Sequence, residues 1–238
     1  LLFHDPALAV NPKFEKFKET YSCATCHHHM AGFQAGRQQG ISEGGSGFGR
    51  MGELRVKDEN CPEDSLDIQP IRSPSTLNSA YQEVMLWNGQ FGATGPNIGT
   101  ENRWTSGTPL EVNFLGYQGI ESQAIAGMSV HRMDISPDLF IDTEYKEMFD
   151  AAFPDIPVQE RYNKVTSGLA MAAYERTILA TEAPFQKYLK GIYSALTKTQ
   201  KEGAILFFGK ANCASCHNGP ALNSMDFYAY GMNDLDGY

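Results

Sequence analysis

The chain has 238 residues, 42% of them hydrophobic and 20% charged, with a formal net charge of −9 and a pI near 5.1. An acidic chain lacks the basic surface that phosphate binding requires, which excludes nucleic acid as a partner. No run of 18 or more apolar residues is present, so nothing is expected to span a membrane, and the length suits one large domain or two smaller ones.

The chain opens on Leu1-Leu2-Phe3-His4-Asp5-Pro6, without a charged start or a cleavage site. Pro12 is followed by Phe14, Phe17 and Tyr21 at helical spacing, which predicts a short helix leading into Cys23-Ala24-Thr25-Cys26-His27. The same pattern returns as Cys213-Ala214-Ser215-Cys216-His217. A Cys-x-x-Cys-His run offers two thiols that form thioethers with haem vinyl groups and an imidazole for an axial position on the iron. Composition alone would give roughly 0.003 such runs, so two of them predict two covalent haems c. A Cys-x-x-Cys pair can also be half a zinc site or a thiol redox pair. Zinc would require the two pairs to converge and would leave both histidines unexplained. His28 and His29 lack the motif position and are expected at the haem edge or in solvent. Haem attachment takes place outside the cytoplasm in bacteria, so an exported, periplasmic chain without its leader is expected. Cys61 is left over, and is expected to be buried, reactive or paired with another chain.

Residues 31–74 are rich in Gly, Ser and charge and contain no His, which predicts a long loop. Over 75–87 a helix is expected, with Leu77, Ala80, Tyr81, Val84 and Met85 on one face. Seven glycines between 88 and 119 predict a second irregular stretch, compatible with a lid, a partner-binding loop or an insertion. Ser136-Pro137 starts a helix whose stripe is Tyr145, Met148, Phe149, Ala152 and Phe153, stopped by Pro154. Tyr162, Val165, Leu169, Ala172, Ala173 and Leu179 form a longer stripe. Thr197-Lys198-Thr199-Gln200 fits a capping box ahead of a helix carrying Ala204, Ile205, Phe207 and Phe208 to the second motif. Strand-like alternation is scarce. The expected fold is therefore mostly α, with two cytochrome c-like haem domains, 1–160 and 161–238, and long irregular loops.

Several segments resemble the bacterial dihaem cytochrome c peroxidases and the related MauG-type enzymes that oxidise a partner protein. They are Leu2-Phe3-His4-Asp5-Pro6 with the first haem motif, Pro74-Ser75-Thr76-Leu77-Asn78, Leu86-Trp87-Asn88-Gly89, Glu121-Ser122-Gln123-Ala124, Ala173-Tyr174-Glu175-Arg176-Thr177, and residues 203–219. The resemblance implies that His27 is the proximal ligand of a peroxide-handling haem and His217 that of an electron-transfer haem. It implies Trp87 on the electron path between the haems, and Asn78 among the ligands of a calcium ion. It also implies hydrogen peroxide as substrate, a small cytochrome or cupredoxin as electron donor, and a homodimer as the family's common assembly.

Three departures bear on the chemistry. The loop 31–74 lacks the family's distal His. The stretch after Gln123-Ala124 lacks its Glu, and His131 is the nearest titratable replacement, as acid/base, as iron ligand, or as an ordinary hydrogen-bonded His. The family also continues beyond the equivalent of Tyr238, where it supplies a Met or Tyr to the second haem. Met225 and Met232 follow His217, so either the chain is incomplete or that haem is ligated differently. Two alternatives accompany the peroxidase expectation: MauG-like oxidation of a protein substrate, with 88–119 in the docking surface, and a non-enzymatic dihaem electron carrier.

Overall fold

Short apolar segments cut by glycine and turn residues fold into short elements. The computed structural model describes residues 1–228 and 231; Met232 lies outside the described residues. The helices are α1 (Cys23–Cys26), α2 (Gly119–Val130), α3 (Glu144–Ala152), α4 (Val158–Arg161), α5 (Lys164–Glu175), α6 (Pro184–Leu189) and α7 (Lys198–Phe208), joined by 3-10 turns. An antiparallel pair of two-residue strands, β1 (Gly45–Ser46) and β2 (Val56–Lys57), sets Gly45 opposite Lys57. The fold is mostly helical, as expected.

Two compact units divide the chain, Leu1–Leu179 and Ala180–Tyr238. The division falls after Leu179, beyond the position 160 expected for the domain boundary, and α5 packs along α2 inside the first unit. A Cβ on Gly168 would stand 2.3 Å from Ile125 Cγ1 and 3.0 Å from the Ile125 backbone, so only glycine allows this approach. Gly168→Ala is expected to cost about 1–3 kcal/mol through overpacking. Gly203→Ala on α7, where a Cβ meets nothing within 4 Å, is expected to gain up to about 1 kcal/mol from helix propensity. Urea midpoints of the two variants check the opposite signs.

The central helix, α2, has no counterpart among the sequence expectations. Ile120, Ala124, Ile125 and Met128 are buried along it, a face at i, i+4, i+5 and i+8 that two glycines obscure. The expected stripe on α5 is also corrected. Its buried residues are Thr166, Ser167, Gly168, Met171, Ala172 and Glu175, while Ala173 and Leu179 are exposed. Close packing against α2 selects small side chains over the bulkier Val165 and Leu169.

Two expected helices do not form. Over 14–21 there is one 3-10 turn, Glu15–Phe17, after which Glu19 turns the chain with a φ of 56° and Tyr21 enters the core. Over 75–87 the only helical turn is Ser79–Tyr81. There Met85 bridges antiparallel to Phe91, and Gly119 N donates to Glu83 O at 2.8 Å, which draws the backbone out straight. The remaining helix signals hold better. Ser136 caps only the 3-10 turn Pro137–Phe140; the helix expected to start there begins separately as α3 at Glu144 and buries Tyr145 and Phe149 before ending ahead of Pro154, with Met148 and Ala152 of the expected stripe left exposed. Thr197 and Gln200 exchange both bonds of the capping box on α7.

Residues 31–74 are nearly free of regular structure, as expected, yet they are firmly packed. Segment 40–43 pairs with 67–69: Ser42 N donates to Asp67 O at 3.0 Å, Asp67 N to Glu43 O at 3.0 Å and Gln69 N to Gly40 O at 2.9 Å. The buried Arg55 donates from Nε to Ile41 O and from Nη2 to Ser42 O, both at 2.6 Å. Glu43, fully buried, accepts from Arg132 Nη1 at 2.5 Å and from Phe14 N at 3.0 Å. A buried carboxylate and guanidinium thus fasten the loop to the residues just beyond α2. The stretch 88–119 is held by the buried Asn113, which accepts from Gly92 N and donates to Gln90 O, each at 2.9 Å.

In the second unit, α6 and α7 meet through stacked Phe185 and Phe208, ring centroids 5.9 Å apart. Phe207 lies 6.3 Å from the His217 ring.

Candidate functional site

The single turn of α1 places Cys23 and Cys26 at i and i+3, on one side of the helix. Thr25 Oγ1 accepts from Ser22 N at 2.9 Å and closes its first turn. His27 follows at the helix end, where Nδ1 donates to Phe33 O at 3.2 Å. Phe33 has a φ of 58°, so a strained left-handed residue presents that carbonyl. The second motif repeats the device: His217 Nδ1 donates to Leu222 O at 3.3 Å, and Leu222 has a φ of 52°. In each case one ring nitrogen is tied to the backbone and Nε2 is left for a metal. His217 is exposed and its two cysteines are half-buried.

Within the first unit, Cys23, Cys26 and His27 open on a cavity of about 390 Å³, and Gln123 and His131 line the same cavity. Gln123 stands on α2 and His131 caps its C-terminal end. The structure thus brings together the first motif and both residues expected on the distal side. Trp87 does not join them; it is 78% exposed, although its neighbour Leu86 lines the cavity. His28 and His29 also lie outside the cavity wall, with the His28 ring 5.3 Å from Phe48. Cys61 is buried, and burial pushes its thiol up. Asn78 has a φ of 63° and donates its backbone N–H to Ile178 O at 2.9 Å. Among the described residues no group of three or more His, Cys, Asp or Glu side chains could hold a metal ion.

The electrostatics follow from depth. Burial pushes the thiols of Cys23 and Cys26 up to about 12 and His27 down to about 4. His27 is therefore neutral at pH 7, the form that binds a metal. Glu175, on the last turn of α5, lines the cavity. Burial, reinforced by the charge of Glu121, pushes its carboxyl up to about 8. Glu121 is engaged by Arg176, with Nε and Nη2 donating at 2.8 and 2.9 Å.

Three buried oxygens on the cavity wall, Ser73 Oγ, Thr76 Oγ1 and Glu175 Oε2, have no hydrogen-bond partner. Buried polar atoms are normally paired, so this wall is built to face a polar edge or ordered water. At Gly40 a Cβ would stand 2.7 Å from Cys26 Sγ and 2.9 Å from Ser73 Oγ. Paired thiols, a backbone-tied imidazole, a hollow with both apolar and polar walls and orphaned polar oxygens together fit a covalently held haem.

Sequence reasoning missed Asp67, Tyr21 and Glu175. Asp67 and Tyr21 both line the cavity. His131 Nδ1 donates to Asp67 Oδ2 at 3.0 Å, and Tyr21 OH donates to His131 O at 2.9 Å. Burial would raise the Asp67 carboxyl, but the hydrogen bond and charge of His131, with Ser42 Oγ, outweigh it and hold the group below the usual carboxylate range. Glu175 carried a signal, since it stands four residues after Met171 on one helix face; Asp67, in a loop, carried none.

The sequence profile described as di-haem cytochrome c peroxidase matches residues 1–194. The chain is 27% identical over 237 residues to the cytochrome c peroxidase Ccp of Escherichia coli, covering 97% of this chain and 38% of that protein. It is 28% identical over 238 residues to the methylamine utilization protein MauG of Methylorubrum extorquens, covering 98% of this chain and 53% of that protein. The chain thus spans about half or less of the length of these curated relatives. A crystal structure of a MauG-like protein associated with microbial copper homeostasis shares the fold, with a TM-score of 0.55 and 23% identity over 98% of this chain and 55% of that one.

Proposed function

The chain belongs to the di-haem cytochrome c peroxidase family, and on that premise we propose that it reduces hydrogen peroxide at a haem held by Cys23, Cys26 and His27. Electrons reach that haem through a second one, held by Cys213, Cys216 and His217 and supplied by a small redox protein in the periplasm. The observation that carries this reading is one cavity lined both by the first haem motif and by Gln123 and His131.

A haem held there would supply the redox-active iron for peroxide reduction. The chain's own task is to move one proton. His131 would take it from one peroxide oxygen and return it to the other, which leaves as water, so the imidazole ends as it began. Gln123, also on the wall, offers an amide donor to the peroxide. The apolar lining, with Met128, Met133 and Phe91, excludes bulk water. Trp87, 78% exposed on the first unit, is the residue proposed for the electron path to that haem.

The test is spectroscopic. The purified protein is expected to carry two haems per chain, one of them high-spin and responsive to cyanide and to stoichiometric peroxide. Two low-spin haems with no response, and no peroxide turnover with reduced cytochromes, would instead establish an electron carrier. A second reading, oxidation of a partner protein, is favoured by the absence from 31–74 of the distal His that the resemblance to the peroxidases leads one to expect there. Mass spectrometry of a co-purified partner before and after peroxide separates it from the first: added oxygen or a cross-link supports it, and an unchanged mass counts against it.

A further inference from the structure

We infer that Asp67 is the positioning residue of the distal side, holding His131 so that Nε2 presents its lone pair to the cavity. This rests on the peroxide reading and names a residue that the family's distal Glu does not foreshadow, because it lies in the loop before α2 and acts through another side chain.

The geometry assigns the tautomer. His131 Nδ1 lies 3.0 Å from Asp67 Oδ2, and Ser42 Oγ donates to the same oxygen. An ionised carboxylate only accepts, so Nδ1 must carry the proton, and in the neutral ring Nε2 is then the acceptor. Among the described residues no hydrogen bond engages Nε2. The Asp67 side chain is only 15% exposed and that of His131 26%, so water competes weakly for their bond.

Both partners sit on supported backbone. Asp67 is fixed by the pairing of 67–69 with 40–43, which Arg55 braces from its other side. His131 is fixed by three neighbours: α2 itself, whose Gly127 O accepts from His131 N at 3.0 Å; Tyr21 OH on its carbonyl; and Arg132, whose Nη1 donates to Glu43 and to Ser65 O at 2.5 and 2.7 Å. The angle of the imidazole is therefore set by Asp67 on its Nδ1 edge and by the contacts that hold its backbone. The ionisable groups around it are Asp67 from the loop, Tyr21 from the segment before α1, the Glu43–Arg132 pair, Arg55 behind Ser42, and His27 on the same cavity.

The test reads the imidazole directly. In reduced, carbon monoxide-treated protein labelled with ¹⁵N-histidine, His131 is assigned by the signal that His131→Gln removes. It is expected to show a protonated Nδ1 and an unprotonated Nε2 at pH 8. Asp67→Asn should mix or invert the tautomers, because an amide can either accept from or donate to Nδ1. Asp67→Glu should restore the wild-type pattern in large part. In the ferric protein, Asp67→Asn should slow cyanide association about 10-fold, since HCN gives up its proton as it binds. If Asp67→Asn does not accumulate with haem, Ser42→Ala should shift the tautomer in the same direction by a smaller amount. Tautomer populations unchanged in these variants would overturn the proposal. The peroxide reading fails separately, if wild-type protein shows the expected tautomer yet takes up neither cyanide nor peroxide.

Discussion

Replacing His131 with alanine is expected to slow the reaction of the first haem with hydrogen peroxide by about 10²–10⁴-fold, the range that a positioned acid/base contributes. Stopped-flow second-order rates check it. The fold should survive, because the contacts anchoring this part of the backbone come from Tyr21 to the residue 131 carbonyl and from Glu43 to Arg132, and none uses the imidazole. His131→Gln, which keeps a hydrogen-bonding group but cannot move a proton at neutral pH, should be nearly as slow. A change below about threefold in both would mean that peroxide is deprotonated elsewhere. Electronic spectra of the ferric variants add a control: an iron ligated by His131 would turn high-spin on substitution, whereas one that is not keeps its spin state.

Glu175 should make the protein lose stability as the pH rises. Its carboxyl is pushed from an ordinary 4.5 to about 8 in the folded chain, by burial first and by Glu121 second. A folded state that holds its proton more tightly than the unfolded one is fully favoured below 4.5, where both are protonated. Between 4.5 and about 8 the unfolded chain ionises and the folded one does not, so stability falls by ~1.4 kcal/mol per pH unit and levels off above about 8. The full swing is about 5 kcal/mol. Glu175→Gln removes the ionisation while keeping the shape, so the wild-type urea midpoint should fall relative to that of the variant across this window, whatever His27 and the other groups common to both contribute. Parallel declines in the two proteins would show that Glu175 is ionised in the fold. The buried Oε2 has no partner, so a neutral side chain at this position is also the less costly one.

Much of the architecture was legible where the signal is local. The capping box at Thr197 and Gln200, the cap at Ser136 and the stop at Pro154 each depend on atoms a few residues apart, and all three appear in the structure. The failures share one cause. The stretch 75–87 has helical spacing, but Met85 finds Phe91 and Glu83 finds Gly119, and those pairings override propensity. On α5 the pattern pointed to the bulkier apolar residues, whereas packing on α2 buries the side with Gly168, Ala172 and Glu175.

The two Cys-x-x-Cys-His runs, and with them the family, were legible in the sequence alone, because each motif occupies five consecutive residues and the carbonyl that ties each His lies five or six residues on. The partner of His131 was decided only by the tertiary structure. Asp67, 64 residues earlier in the chain, is brought against its Nδ1 by a loop folded around Arg55 and Glu43. A carboxylate directs an imidazole only across about 3 Å, and that distance is a property of the folded chain with no trace in residue spacing.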